Sequence, residues 1–342
     1  MKLAVLYVLR TLGIFYLCRK FYANKTLVLA YHGFEIADEC QFRNQLFIKA
    51  DTLKRRLDYL KKHCHLVRLD DYQKHGPQKN KVVITIDDGW YSTLSVAAPI
   101  FKAYDMPYTV YLTTEDVLDH KPIFHVALSY VLHKNIGKRF KYIKGDDFAI
   151  DEVISPENMP AIVDAFAPIK SQKNDNELLI DVAKSLDFDI TPTIENKALT
   201  LMSVEQTQQI QALGADIQLH THTHNTPLDS FEEFAKEINV NRDHITEITG
   251  IRPEHHCYPS GVYNTASFTH LQRLGVKTAT TCYPGLCDEN TNPMEIPRFL
   301  DSERIHQIVF EAEVSGVAEL LRKVVKGTFK PIYNVIARPN TA

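Results

Sequence analysis

The sequence predicts an α/β fold in which parallel strands form a sheet or barrel, and three observations carry that expectation. Short β-branched apolar runs alternate with segments of helical periodicity, the order expected when each strand is followed by a crossover helix. Four of these runs end in residues able to do chemistry. Thr26 to Tyr31 runs into His32-Gly33, residues 82–86 into Asp87-Asp88-Gly89, Asp216 to Leu219 into His220-Thr-His-Thr-His224, and residues 255–258 into Pro259-Ser260-Gly261. Active sites of α/β barrels lie at the C-terminal ends of the strands, and unrelated turns or core histidines have no reason to fall there four times. Finally, 342 residues suffice for one large α/β barrel or two smaller domains.

The elements follow in chain order. Residues 1–20 are apolar but interrupted by Arg10 and closed by Arg19-Lys20. They lack the small-residue cleavage site of a secretory signal, and a charge near the middle is expensive in a spanning helix. Two readings remain: a helix lying on a membrane surface with Lys2, Arg10, Arg19 and Lys20 at the headgroups, or a helix packed on the domain. Thr26 to Tyr31 is the first strand, and residues 51–60 repeat apolar side chains at helical spacing with Asp51 as cap. Residues 82–86 form the next strand, 91–103 a helix and 108–113 another strand. Residues of about 119–200 break the rhythm. Two helix-like segments, 126–133 and 177–186, flank a charged, proline-containing middle, which reads as a long insertion serving as lid or cleft wall. Asp216 to Leu219 is a strand, 230–249 a helix, 255–258 a strand, 265–274 a helix and 277–282 a strand. This gives an N-terminal apolar and basic helix (1–25), a barrel with its insertion (26–315), and a C-terminal helix and tail (316–342).

Composition narrows the function. The chain is 44% hydrophobic and 24% charged, with a net charge of -3. A pI near 6.6 provides no basic field, which argues against a nucleic-acid partner. Six scattered cysteines form no CxxC pair and no disulfide framework, which fits a reducing compartment. Cys282 and Cys287 are close, but no second Cys or His pair joins them into a zinc site.

Two adjacent carboxylates ending a buried strand need pairing or a metal, and adjacent side chains there diverge, so Asp87 and Asp88 can serve different partners. An Asp-Asp-Gly turn is the competing reading. His220 and His224, four apart and leaving a strand for a turn, can converge on one divalent ion. Asp88 completes three protein ligands and leaves positions open, the pattern of a catalytic site. His222 competes as a ligand if the strand continues, but Asn225 and Pro227 suggest that it stops.

These motifs resemble those of the polysaccharide deacetylases, the NodB-homology or family 4 carbohydrate esterases. Thr85 to Gly89 resembles their T-F-D-D-G motif, His220 to His224 their H-[ST]-x-x-H motif, and Cys257 to Gly261, more weakly, their R-x-P-[YF]-G motif. Leu29-Ala-Tyr-His32 looks like the catalytic-histidine motif moved to the N-terminus, as in poly-N-acetylglucosamine deacetylases. The resemblance spans roughly residues 26–300 and implies a distorted (β/α) barrel. It also implies a divalent metal on Asp88, His220 and His224, most often zinc, with cobalt or nickel as alternatives. Asp87 would be the general base, His32 the general acid to the leaving amine, and the Ser260 backbone N–H an oxyanion donor. Thr221 would orient the histidine loop through its hydroxyl. The implied reaction removes acetyl from N-acetylated sugars of a polysaccharide, oligosaccharide or lipid-linked glycan.

The departures are Ile86 for Phe, Cys257 for the Arg that orients the base, and Ser260 for an aromatic residue. Arg298 is a candidate substitute for that Arg, reaching Asp87 from another strand end; a surface salt bridge is its competing reading. Trp90 and Tyr91 could form a sugar-stacking wall, with Tyr258 and Pro259 as further substrate contacts, although aromatic residues at a helix start are more often core. The alternatives in function are a weak or inactive carbohydrate-binding relative, an O-acetyl esterase, or another amide hydrolase. The expected location is the cytoplasm or the inner face of the cytoplasmic membrane; the alternative is a secreted or periplasmic protein held by its N-terminus.

Overall fold

Thr26–Tyr31 is buried at every position, as a strand with neighbours on both sides and helices over its outer face must be. In the computed structural model, which describes residues 3–72, 79–119, 122–144, 148–169 and 175–328, this strand pairs in parallel with Lys81–Ile86. The register runs from Thr26 opposite Lys81 to Tyr31 opposite Ile86. Beyond Lys81–Ile86 the sheet continues through Thr109–Leu112, Asp216–Leu219, His255–Cys257 and Thr278–Thr280, each parallel to its neighbour. Parallel strands put all their C-terminal ends on one rim. His32, Asp87, Asp88, His220 and Ser260 therefore meet because each directly follows, or closely follows, a strand of this one sheet.

The sheet curls into a distorted barrel. Thr26–Tyr31 takes the short strand Phe299–Leu300 in parallel on its other edge and Leu286–Cys287 antiparallel. Ile296 makes a parallel bridge to Thr280 at the far edge of the sheet, where the Ile296 N–H donates to the Ala279 carbonyl and the Thr281 N–H to that of Ile296. Residues 296–300 thus join the two edges, and Arg298 lies in the seam.

The periodic helices form close to their expected places. Residues 51–60 extend to Ala50–His63, with Lys49 rather than Asp51 at the cap position. Ser230 caps Phe231–Thr249 by accepting from the Glu233 N–H. The insertion holds more than the two expected helices, Phe124–Lys134 and Asp175–Ser185. Arg139–Lys144 and Phe148–Val153 form an antiparallel hairpin that sets Phe140, Tyr142 and Phe148 against Phe166 at ring distances of 6.4, 5.5 and 5.0 Å. The inward alternation of Phe140 and Tyr142 is a strand signal, masked in sequence by the charges between them.

The single N-terminal helix is corrected to a hairpin of two, Leu3–Thr11 and Ile14–Phe21. Gly13 turns the chain between them at φ +76°, a conformation glycine adopts without penalty. Leu6, Phe15, Cys18 and Tyr22 pack with Ile308, Ala312, Val317 and Ala318, so the hairpin docks on Gln307–Val314 and on the C-terminal helix Val317–Thr328. Lys2 and the tail 329–342 lie outside the described residues, as do positions 120–121, 145–147 and 170–174 of the insertion.

Candidate active site

The buried strand Lys81–Ile86 ends where the chain bends through Asp88 at φ +70° and Gly89 at φ +92°. A Cβ on Gly89 would stand 2.3 Å from Leu112 Cδ1, so only glycine fits this turn. The bend separates the carboxylates. Asp88 Oδ2 accepts from Trp90 Nε1 at 2.8 Å, while Oδ1 faces His220 Nε2 at 3.2 Å and His224 Nε2 at 3.4 Å. Asp87 turns inward, 2% exposed.

His220 has a defined tautomer. Its Nδ1 lies 2.9 Å from the Cys257 carbonyl, which can only accept, so Nδ1 carries a hydrogen, and in the neutral ring Nε2 offers a lone pair. Two acceptors, Asp88 Oδ1 and His220 Nε2, then face each other at 3.2 Å. That contact calls for a cation or a proton between them. Asp88, His220 and His224 place one donor atom each within 4.8 Å of one another, and a carboxylate with two imidazoles suits zinc and its neighbours. The residues therefore fit a divalent metal. A second trio, Asp87, His220 and Cys257, is fully buried, but Asp87 is already neutralised by Arg298, which disfavours a cation there.

The histidine loop is held from below. Thr221 and His224 both adopt positive φ, +62° and +57°, a tight turn that brings His224 back over Asp88. The His222 and Thr223 N–H groups both donate to Glu237 Oε2 at 2.9 Å, and the Thr223 hydroxyl to Oε1 at 2.9 Å. The Thr221 hydroxyl, expected to orient this loop, is buried without a hydrogen-bond partner; Glu237 does that work. His222 turns away, with Nδ1 3.0 Å from the Thr114 hydroxyl. Asn241 accepts from the His220 N–H and donates to the Leu112 carbonyl and to Thr114 Oγ1, at 3.0, 2.9 and 3.1 Å. Asn241→Ala leaves several buried groups unpaired, and a loss of about 2–4 kcal/mol is expected. Urea unfolding of the metal-free protein checks this, and a midpoint shift equivalent to less than about 1 kcal/mol contradicts it.

Glu237 and Asn241 escape notice in sequence, yet a signal was present. Phe234, Ile238, Asn241, Ile245 and Ile248 form one buried stripe of the helix, and an Asn among core positions asks for specific partners.

Arg298 reaches Asp87 through the barrel interior, fully buried. Its Nη1 and Nη2 donate to Asp87 Oδ1 and Oδ2 at 2.7 and 2.8 Å, a bidentate pair. Nη1 also donates to the Thr85 hydroxyl at 3.0 Å, and Nε to the Thr281 carbonyl at 2.9 Å. The competing reading of Arg298 as a surface salt bridge is thereby corrected. Cys257 Sγ lies 2.9 Å from Nη2, so the residue at the motif's Arg position touches the guanidinium that arrives from elsewhere. Burial pushes the Asp87 carboxyl up, but the Arg298 guanidinium outweighs it and holds the group below its ordinary value, with lesser help from His32 and His220. Burial likewise opposes ionisation of Asp88, yet its contacts with His220 and His224 keep it well below the usual carboxylate range. For His224, burial is outweighed by Asp88, and its pKa is raised. Burial lifts the Cys257 thiol well above its ordinary value against the pull of Arg298, so it stays neutral.

His32 Nε2 stands 3.6 Å from Asp87 Oδ2. Ser260, exposed at φ +53°, sits in a turn whose own hydrogen bonds run from Gly261 N–H to Tyr258 and from Val262 N–H to Pro259. The Ser260 N–H is not used in them. These groups line a cleft of about 740 Å³, whose outer wall includes Ile123, Phe124, His125, Val126 and Asp175 from the insertion.

The expected sugar contacts fare differently. Trp90 borders the cleft but is 1% exposed, packed 5.5 Å from the Phe47 ring with its Nε1 donating to Asp88. Tyr258 and Pro259 are buried, Tyr258 donating to the Met294 carbonyl at 3.0 Å and stacked on Tyr263. The Tyr91 ring lies under Lys197 Nζ at 5.2 Å and is not part of the cleft lining. The turn at Asp88 and Gly89 sends the chain back toward the core, the more frequent outcome for aromatic residues at a helix start.

A sequence model of the polysaccharide deacetylase family matches residues 171–279. No curated protein matches in sequence. The fold matches that of a Streptococcus pyogenes deacetylase, PplD, solved with acetate, at 15% identity and TM-score 0.56, over 85% of this chain and 99% of that one. It also matches IcaB from Ammonifex degensii, at 16% identity and TM-score 0.52, over 85% and 97%. A third match is a de-N-acetylase from Aggregatibacter actinomycetemcomitans, at 13% identity and TM-score 0.51, over 84% and 99%. The matched segment carries His220, His224 and Ser260, and the strand order supplies the distorted barrel. Over residues 171–279 the chain is thus similar to the polysaccharide deacetylase family, and its fold is the distorted barrel shared with these solved deacetylases.

Proposed function

We propose that this protein removes acetyl groups from N-acetylated sugars with the help of a divalent metal, zinc being the best fit. The substrate would be a polysaccharide, oligosaccharide or lipid-linked glycan. The observation that carries the reading is the separation of two carboxylates: Asp88 faces two imidazole nitrogens, while Asp87 is held by a buried guanidinium beside His32. Asp88, His220 and His224 would hold the metal. When bound it supplies Lewis acidity, making water a better nucleophile and polarising the acetyl carbonyl.

The chain's own groups do the rest. Asp87, kept ionised by Arg298, accepts the proton of the attacking water. Water oxygen bonds to the acetyl carbon, and the developing oxyanion takes a hydrogen bond from the Ser260 N–H. His32 delivers a proton to the sugar nitrogen as the carbon–nitrogen bond breaks, leaving acetate and a sugar amine. The reading of a binding-only relative drew on the missing motif Arg; a guanidinium on Asp87 removes that motive.

The test is acetate release from N-acetylated oligosaccharides with and without chelator. Chelation is expected to abolish turnover, with recovery on adding zinc, cobalt or nickel. It should also lower the melting temperature, because a ligand that binds only the folded chain stabilises it by roughly 3–4 kcal/mol at a hundred- to thousandfold excess over Kd. Full activity in chelator, with no change in melting, sinks the metal-dependent reading.

A further inference from the structure

The N-terminal helical hairpin presents an apolar face outward. Leu6, Phe15, Cys18 and Tyr22 point into the protein, yet Val5, Val8, Leu12, Tyr16 and Leu17 are 47, 56, 68, 53 and 56% exposed and Phe21 is 80% exposed. A helix docked on a soluble domain ordinarily turns polar residues to water on that side. Here both sides are apolar. The C-terminal helix beside it adds exposed Leu320 and Val324. Contiguous apolar surface of this kind marks an interaction site.

Charge says what the surface meets. Residues 1–34 contain Lys2, Arg10, Arg19, Lys20 and Lys25 and no Asp or Glu. Lys20 Nζ lies over the Tyr16 ring at 4.6 Å, so a cation and an aromatic residue share the exposed face. Arg10, half exposed, leans on Glu311, and Lys323 flanks the patch from the C-terminal helix with its tip over Tyr22 at 5.3 Å. The middle of a protein–protein interface is depleted of lysine, whereas apolar, aromatic and basic side chains mixed on one helical face suit the headgroup boundary of an anionic bilayer. No described helix is long and apolar enough to cross a membrane.

We propose that this hairpin, with the outer face of residues 317–324, is a monotopic anchor that lies in the surface of an anionic lipid bilayer. It precedes the strand Thr26–Tyr31, whose opposite end carries His32, so the anchor enters the barrel at the end away from the catalytic rim.

The experiment is co-sedimentation of the full chain with vesicles of phosphatidylcholine alone or with about 30% phosphatidylglycerol, at low and high salt. Binding is expected on the anionic vesicles, weakened by salt and reduced about tenfold or more by Leu17→Glu/Phe21→Glu. Leu12→Glu, at the hairpin turn, is a second variant that reports independently, and unchanged circular dichroism and melting show that each variant is folded. Failure to sediment with either vesicle, or sedimentation that both folded variants retain, overturns the proposal. So does a solution dimer, seen by light scattering, that Leu17→Glu/Phe21→Glu dissolves, because the face would then belong to a second copy of the chain.

Discussion

Asp87→Asn is expected to lower kcat for acetate release by about 10²- to 10⁴-fold, with bound metal retained. The side chain keeps its shape and one oxygen for Arg298, but it cannot take a proton from water. Metal content should hold because Asp88, His220 and His224 are untouched. Stability should not hold, because the exchange leaves a buried guanidinium without its counter-charge, and loss of one partner of a buried pair costs about 3–5 kcal/mol. Turnover must therefore be measured below the variant's melting transition, with the folded fraction fixed by circular dichroism. Asp88→Asn provides the contrast, since it should lose metal as well as turnover. If folded, metal-loaded Asp87→Asn turns over within tenfold of the parent, Asp87 is not the base.

The sequence made much of this site legible because most of its members follow strands that the apolar runs locate. Once those strands are parallel neighbours, His32, Asp87, Asp88, His220, His224 and Ser260 must share a rim. The same logic could offer Arg298 as a candidate but could not assign it. Its place depends on the closure of the barrel through residues 296–300, where Ile296 bridges Thr280 and Phe299 pairs with Leu29, and such short, long-range pairings leave no periodic trace. Side-chain direction was the other blind spot. Trp90 and Tyr258 could be read as sugar contacts or, as is more frequent, as core; each is turned inward and finds a polar partner for its N–H or O–H. Glu237 and Asn241 lie far along the chain from the loop they hold, and only the break in an apolar stripe hinted at one of them.

Arg298→Met should separate positioning from proton transfer. Methionine keeps the unbranched apolar stem but removes every donor to Asp87, Thr85 and Thr281, and a penalty of about 3–5 kcal/mol is expected from the carboxylate left buried and unpaired. The pH dependence carries the sharper signature. In the parent chain Arg298 overcomes burial and holds Asp87 below its ordinary value. The pair's contribution to stability is thus fully present above the ordinary carboxylate range and fades as pH falls through the depressed pKa. Without the guanidinium, burial is opposed only by the lesser pull of His32 and His220, so the pKa is expected to rise and the sign to reverse: the variant loses stability as pH rises and Asp87 is forced to ionise. The acid limb of kcat/KM should move to higher pH for the same reason, since the base must be ionised to work. A residue that merely filled space would lower stability without moving that limb. Cys257→Arg/Arg298→Met asks whether the source of the guanidinium matters. Sγ of Cys257 already lies 2.9 Å from Nη2, so an arginine launched from position 257 can reach the same carboxylate, and it should return the acid limb toward its parental pH. An acid limb that stays at parental pH in Arg298→Met would show that Asp87 draws its low pKa from His32 and His220 instead, the two other groups that lower it.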